Sequence, residues 1–138
     1  KNNNKFIVVF LPNLEFLNCC NTKFKELNLP KVIKLTCNSC KLSYIKAPNA
    51  IKITCCNNKH LSYLYAPNAK EVWCNNCNFE MINLPEVEYL YCHNNPLKYI
   101  NAPKLKKLFY DVSYDNKLIS VFYSENILKY NSDLQLIE

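Results

Sequence analysis

Nine cysteines, two histidines and eleven carboxylates are the side chains through which this 138-residue chain could do chemistry. Cys37–Cys40 and Cys74–Cys77 are both C-x-x-C pairs, a spacing that suits zinc ligation or dithiol redox work. His93 directly follows Cys92, the minimum requirement for a thiol activated by an imidazole. Glu71 and Glu88 could form a carboxylate pair if the fold brought them together. A phosphate-cradling loop is excluded, because the chain contains no Gly. Which of these groups meet depends on the elements that carry them.

Those elements are announced by proline. Pro12, Pro30, Pro48, Pro67, Pro85 and Pro103 follow one another at spacings of 18, 18, 19, 18 and 18 residues. The generic unit reads L-x-x-L-x-C-x-x-N-x-L-x-x-L-x-[LA]-P, and Val87 to Pro103 is its clearest copy. Stacking the units aligns five apolar columns. They are Leu14, Val32, Ala50, Ala69, Val87, Leu105; Leu17, Leu35, Ile53, Val72, Leu90, Leu108; Cys19, Cys37, Cys55, Cys74, Cys92; Phe24, Leu42, Leu61, Phe79, Leu97; and Leu27, Ile45, Leu64, Ile82, Ile100. One extra residue falls near Lys59–His60. Such self-similarity is the mark of a solenoid in which each unit buries its apolar face only against its neighbours.

Each unit carries a short run with strand alternation, so that Leu90 and Cys92 point inward and Tyr89, Tyr91 and His93 outward. Eighteen residues leave no room for a helix on the return path. Proline there fixes φ and drives its predecessor to an extended shape. The expected fold is an all-β and coil solenoid, with short parallel strands on a concave face, an extended or 3-10 convex side, and little or no α-helix.

The repeat resembles the leucine-rich-repeat family, L-x-x-L-x-L-x-x-[NC]-x-L, over about residues 4–113, with Cys at the third Leu position. Its Asn/Cys position holds Asn4, Thr22, Cys40, Asn58, Cys77, Asn95 and Ser113. The Leu-Pro step is similar to short repeats of bacterial effectors, and the Cys- and Asn-rich flavour to repeat proteins of giant viruses and entomopoxviruses. The resemblance implies a solenoid with a strand-lined concave face. It makes residues 1–113 the repeat array, entered in mid-repeat, and 114–138 a degenerate repeat and cap. Leu118, Val121 and Tyr123 would continue the columns, and Ile127, Leu128, Leu134 and Leu136 would close the core.

A solenoid changes the meaning of the cysteines. Strands stack about 4.8 Å apart, so C-x-x-C pairs two units apart lie roughly 10 Å from each other. One zinc ion, with bonds of about 2.3 Å to sulfur, cannot hold both. The expected role of the Cys column is core packing, with Cys20 and Cys56 outward. An odd cysteine count excludes complete pairing within the chain. Unpaired thiols at the surface suit a reducing compartment: the cytoplasm, a host cytoplasm or a virion. Cys92 and His93 point to opposite faces, His60 sits in the insertion, and the acids are scattered. No enzyme site, metal or cofactor is expected.

The outward strand positions then carry the functional expectation. One column reads Asn18, Thr36, Thr54, Trp73, Tyr91, Phe109; its neighbours read Phe16, Lys34, Lys52, Glu71, Tyr89, Lys107 and Cys20, Asn38, Cys56, Asn75, His93, Asp111. Trp73, Tyr89, Tyr91 and Phe109, with Lys34, Lys52 and His93, form the expected binding surface. Its partner would be another protein. The competing reading is an aromatic ladder that stiffens the sheet, the role expected of Tyr44, Tyr63 and Tyr99 on the other side. Structural packing in a larger assembly, end to end with neighbouring chains or upstream repeats, is the alternative function. The net charge of +6 comes from Lys alone, with no Arg, and the aromatic half is the more acidic one. Nucleic acid is therefore the less favoured partner. No apolar run is long enough to span a bilayer as a helix.

Overall fold

A computed structural model describes residues 7–110, 120–122, 128–130 and 136–137. These residues form a succession of short strands and turns, with no helix among them. Six successive coils each place one strand in a long sheet: β2 (Phe16–Asn18), β4 (Lys34–Thr36), β6 (Lys52–Thr54), β8 (Glu71–Trp73), β10 (Tyr89–Tyr91) and β12 (Lys107–Phe109). Every neighbouring pair is parallel and in the register that the columns demand: Leu17 on Leu35 on Ile53 on Val72 on Leu90 on Leu108. β14 (Leu128–Tyr130) continues this sheet in parallel, and β15 (Leu136–Ile137) ends it antiparallel.

The return path is also paired. β1 (Val8–Phe10), β3 (Glu26–Asn28), β5 (Tyr44–Lys46) and β7 (Tyr63–Tyr65) make a four-stranded parallel sheet. β9 (Met81–Asn83), β11 (Tyr99–Asn101) and β13 (Ser120–Phe122) make a three-stranded one. The extended chain expected on this side is thus hydrogen-bonded coil to coil. Val121 stands in register with Ile100, as the repeat rhythm requires. Leu136 is exposed and does not close the core; Leu118, Tyr123, Ile127 and Leu134 lie outside the described residues.

Two turns per coil close the loop. The first contains proline: Val32 N–H donates to Leu29 O, with equivalent bonds at Ala50–Ala47, Ala69–Ala66, Val87–Leu84 and Leu105–Ala102. Proline at the second position sets the φ that such a turn needs. The second turn needs a left-handed residue, and Asn21, Ser39, Asn57, Asn76 and Asn94 supply it at φ of 55–60°. Asn tolerates this region better than most side chains, which is how a chain without Gly turns so tightly.

The residue after the left-handed one knits coils together. Asn58 is wholly buried; its Nδ2 donates to Cys37 O and Cys55 O at 2.9 Å, and its Oδ1 accepts from Cys40 N and Leu42 N. Asn95 repeats this, donating to Cys74 O and Cys92 O and accepting from Phe79 N. Where Cys takes the position, its thiol does the donating: Cys40 Sγ to Cys19 O, and Cys77 Sγ to Cys55 O. Between the sheets, the columns from Leu29 to Leu108 form one continuous apolar core.

Leaving several buried backbone groups unpartnered costs more than losing one surface bond. Asn58→Ala and Asn95→Ala should each lower unfolding stability by about 2–4 kcal/mol in urea titrations. Asn68→Ala, at an exposed side chain, should change it by less than about 0.5 kcal/mol.

Candidate functional site

The outer face of the long sheet carries the residues singled out from the sequence, and strand pairing sets them in rows. Thr36, Thr54, Trp73, Tyr91 and Phe109 occupy consecutive register positions. Trp73 and Tyr91 stack with ring centroids 3.6 Å apart and planes 11° from parallel; Tyr91 and Phe109 stack at 4.1 Å and 10°. These separations are shorter than the interval between strands, about 4.8 Å, so the rings lean along the sheet onto one another. Stacking removes ring faces from water and leaves edges outward.

Phe109, expected at the surface, is only 8% exposed. Tyr91 covers one side of it, and β14 continues the sheet on the other, with Tyr130 in register. Phe109 therefore continues the stack as a buried ring. Trp73, Tyr89 and Tyr91 remain half-buried at the surface.

The neighbouring row supplies charge. Lys34 is exposed, while Lys52 Nζ lies 3.1 Å from Glu71 Oε1. The same oxygen accepts from Trp73 Nε1 at 2.7 Å. Lys52, Glu71 and Trp73 thus form one chain, with the indole dipole fixed by the carboxylate. The indole bond, aided by Lys52, holds the Glu71 carboxyl below its usual value. Burial, aided by Glu71, raises the Tyr91 phenol. Lys52 is consequently less free for an acidic partner than Lys34.

The third row turns inward at the turn. Asn75 is buried, and its Oδ1 accepts from His93 N at 3.1 Å, as Asn38 Oδ1 accepts from Cys56 N. His93 Nδ1 is buried and makes no hydrogen bond. The next residue of this row, Asp111, lies outside the described residues.

The cysteines separate into two roles that the C-x-x-C spacing hid. Cys37 and Cys74 stand in the core column, whereas Cys40 and Cys77 donate at the turn. All nine are free thiols, and only Cys20 and Cys56 are better than buried. Burial pushes Cys19 and Cys77 up to about 12 and Cys37, Cys55 and Cys74 well above the ordinary thiol. Reactive thiolate is therefore suppressed where the cysteines cluster. Among the described residues, no three His, Cys, Asp or Glu side chains converge as a metal centre requires.

On the opposite side, Tyr44 and Tyr63 stack at 5.0 Å with planes 5° apart. Tyr99 does not join them: Met81 occupies the intervening position, and β9 is not paired with β7. The expected three-tyrosine ladder is thus two rings and an interruption. Sequence reading also missed the left-handed residues; their signal was an Asn or Ser directly before each Asn/Cys position. No protein-family model, curated protein or solved structure matches the chain.

Glu71's depressed pKa sets a sign. Its charged form stabilises the Lys52–Glu71–Trp73 chain above the ordinary carboxylate range, and that contribution is lost as pH falls through the lowered folded value. Emission from the single tryptophan should therefore change only below the ordinary Glu pKa of about 4.3. Glu71→Gln should remove that acid step while the protein remains folded.

Proposed function

We infer that the chain is a protein-binding scaffold, a short leucine-rich-repeat type in the sense of its L-x-x-L-x-C-x-x-N pattern. The partner lies across the outer face of the long sheet. The observation that supports this most is the aromatic strip Trp73–Tyr91, ordered before any partner arrives and flanked by Tyr89, Lys34 and the Lys52–Glu71 pair. Rings already fixed by stacking lose little further freedom on binding, and Trp and Tyr are the residues that most often anchor interfaces. Phe109 extends the strip beyond Tyr91. His93 belongs to its margin. The composition and the Cys- and Asn-rich repeat favour a viral or effector protein working in a reducing cytoplasm, where free thiols persist.

Nucleic acid is disfavoured as the partner. Among the described residues, Glu71, Glu80, Glu86 and Glu88 ion-pair with Lys52, Lys98, Lys70, Lys104 and Lys106, which offsets much of the positive charge in the half that carries the aromatics. A structural role in an assembly draws on a different observation: Val8, Phe10 and Phe16, on the outermost strands β1 and β2, are all exposed.

Capture of partners from the native host, followed by mass spectrometry, tests the binding reading. Trp73→Ala with Tyr91→Ala should reduce recovery of the enriched protein at least about tenfold, the loss of an interface anchor, while circular dichroism reports an intact β-fold. Undiminished recovery by the folded double variant contradicts the long-sheet site.

A further inference from the structure

Among the described residues, the coils part at one place. Strands β6 and β8 stay paired, yet on the opposite side β7 and β9 do not. Other coil steps repeat two linking bonds there. Leu29 N–H donates to Lys46 O, Ala47 N–H to Tyr65 O and Leu84 N–H to Asn101 O; Ser43 N–H donates to Lys25 O and Lys98 N–H to Glu80 O. Among the described residues, neither Ala66 N to Asn83 O nor Glu80 N to Ser62 O is bonded. Instead Asn78 N–H donates to Leu61 O, one residue out of the 18-residue step.

The coil that carries β7 also holds the extra residue. Asn58 to Leu61 forms a turn with Leu61 N–H on Asn58 O, one residue longer than the Cys77–Phe79 and Asn95–Leu97 steps in the following coils. Its slack enters the chain just before β7. β7 keeps its ladder with β5 across the longer step and loses it with β9, which follows at the regular spacing.

The parting opens a cavity of about 250 Å³. Leu64, Ile82, Leu84, Phe79 and Cys74 line its apolar part, and Tyr63, Tyr65 and Met81 stand at its mouth, 51%, 43% and 61% exposed. No lining residue is charged. Tyr63 has Tyr44 stacked on one face. Its other neighbour along the row is Met81, in the position where a third ring would continue the stack.

We propose that this seam is a binding site for a small, uncharged, planar aromatic molecule of about two fused rings, stacked between Tyr63 and the Met81 thioether. The size follows from the volume: an apolar cavity of about 150 Å³ accepts one benzene ring, so this one accepts more. The neutrality follows from the uncharged lining, since a desolvated ion would find no partner. The planarity follows from a slot between two strands, with a tyrosine face on one side. A thioether favours the remaining aromatic face. Ala66 N–H and Asn83 O are left to bond polar atoms on the ligand's edge. The site lies across the core from the long-sheet surface, so it stands or falls independently of the partner-binding reading.

The probe for a direct test is prodan, a neutral naphthalene dye whose emission moves to the blue on leaving water. Titration into the full chain should give a saturable blue shift that indole displaces. Leu64→Phe fills the cavity and should weaken prodan at least about tenfold without lowering the melting temperature. Met81→Ser, at an exposed position that cannot unfold the core, should weaken it less. The proposal is overturned if the shift is absent, or unchanged in Leu64→Phe and Met81→Ser. It is also overturned if a sulfonated naphthalene binds equally well, which denotes adhesion to open surface. Displacement by an unrelated extended peptide as readily as by indole would assign the seam to a partner's strand instead.

Discussion

The structure depends on one repeated distance, the interval of about 4.8 Å between hydrogen-bonded strands. Each coil must climb by that amount and return to register after 18 residues, so every side chain lies against its equivalent in the coils above and below. Like then packs on like. Leu meets Ile and Val at Leu35, Ile53 and Val72, and small thiols meet at Cys37, Cys55 and Cys74. The same rule orders the surface, where Trp73, Tyr91 and Phe109 stack because their strands do. Tight stacking leaves buried polar groups at every corner, and Asn58, Asn95, Cys40 and Cys77 satisfy them from one coil to the next. The intercoil corner is thus where a side chain serves several backbone groups at once.

Function follows from where the rule is kept and where it is broken. On the long sheet it is kept, and the product is a rigid strip of aromatic edges with Glu71 holding the Trp73 indole. A surface already ordered is suited to binding a partner at low entropic cost. On the other side the rule fails once, between Tyr63–Tyr65 and Met81–Asn83, and the product is a cavity. There β6 and β8 alone keep the two coils joined by strand pairing.

Much of this was legible in the chain. Six prolines at near-constant spacing fix the step, and five apolar columns fix what faces inward; the outward rows through Thr54, Trp73 and Tyr91 follow from alternation and are matched by the pairing. The rest depends on contacts no single unit encodes. Pairing of the return strands requires that whole coils superpose, which periodicity in one unit does not state. The strand that continues the sheet beyond Phe109, β14, falls outside the regular repeat. The division of labour between Cys37 and Cys40 is set by φ at Ser39, a backbone choice that side-chain spacing cannot reveal. The parted β7–β9 step was not legible, because Tyr63–Tyr65 and Met81–Asn83 keep the 18-residue spacing at which strands elsewhere pair.

Native-state hydrogen exchange resolved by residue tests this account most directly, since it reads coil-to-coil bonding amide by amide. The amides of Cys40, Leu42 and Phe79, held by Asn58 and Asn95, should be among the slowest to exchange. Ala66 and Glu80, at the parted step, should exchange far faster than their equivalents Ala47 and Lys98, which are bonded. Uniform protection along both sides of the solenoid, with Ala66 and Glu80 as slow as Ala47 and Lys98, would contradict a register that holds everywhere but at this seam.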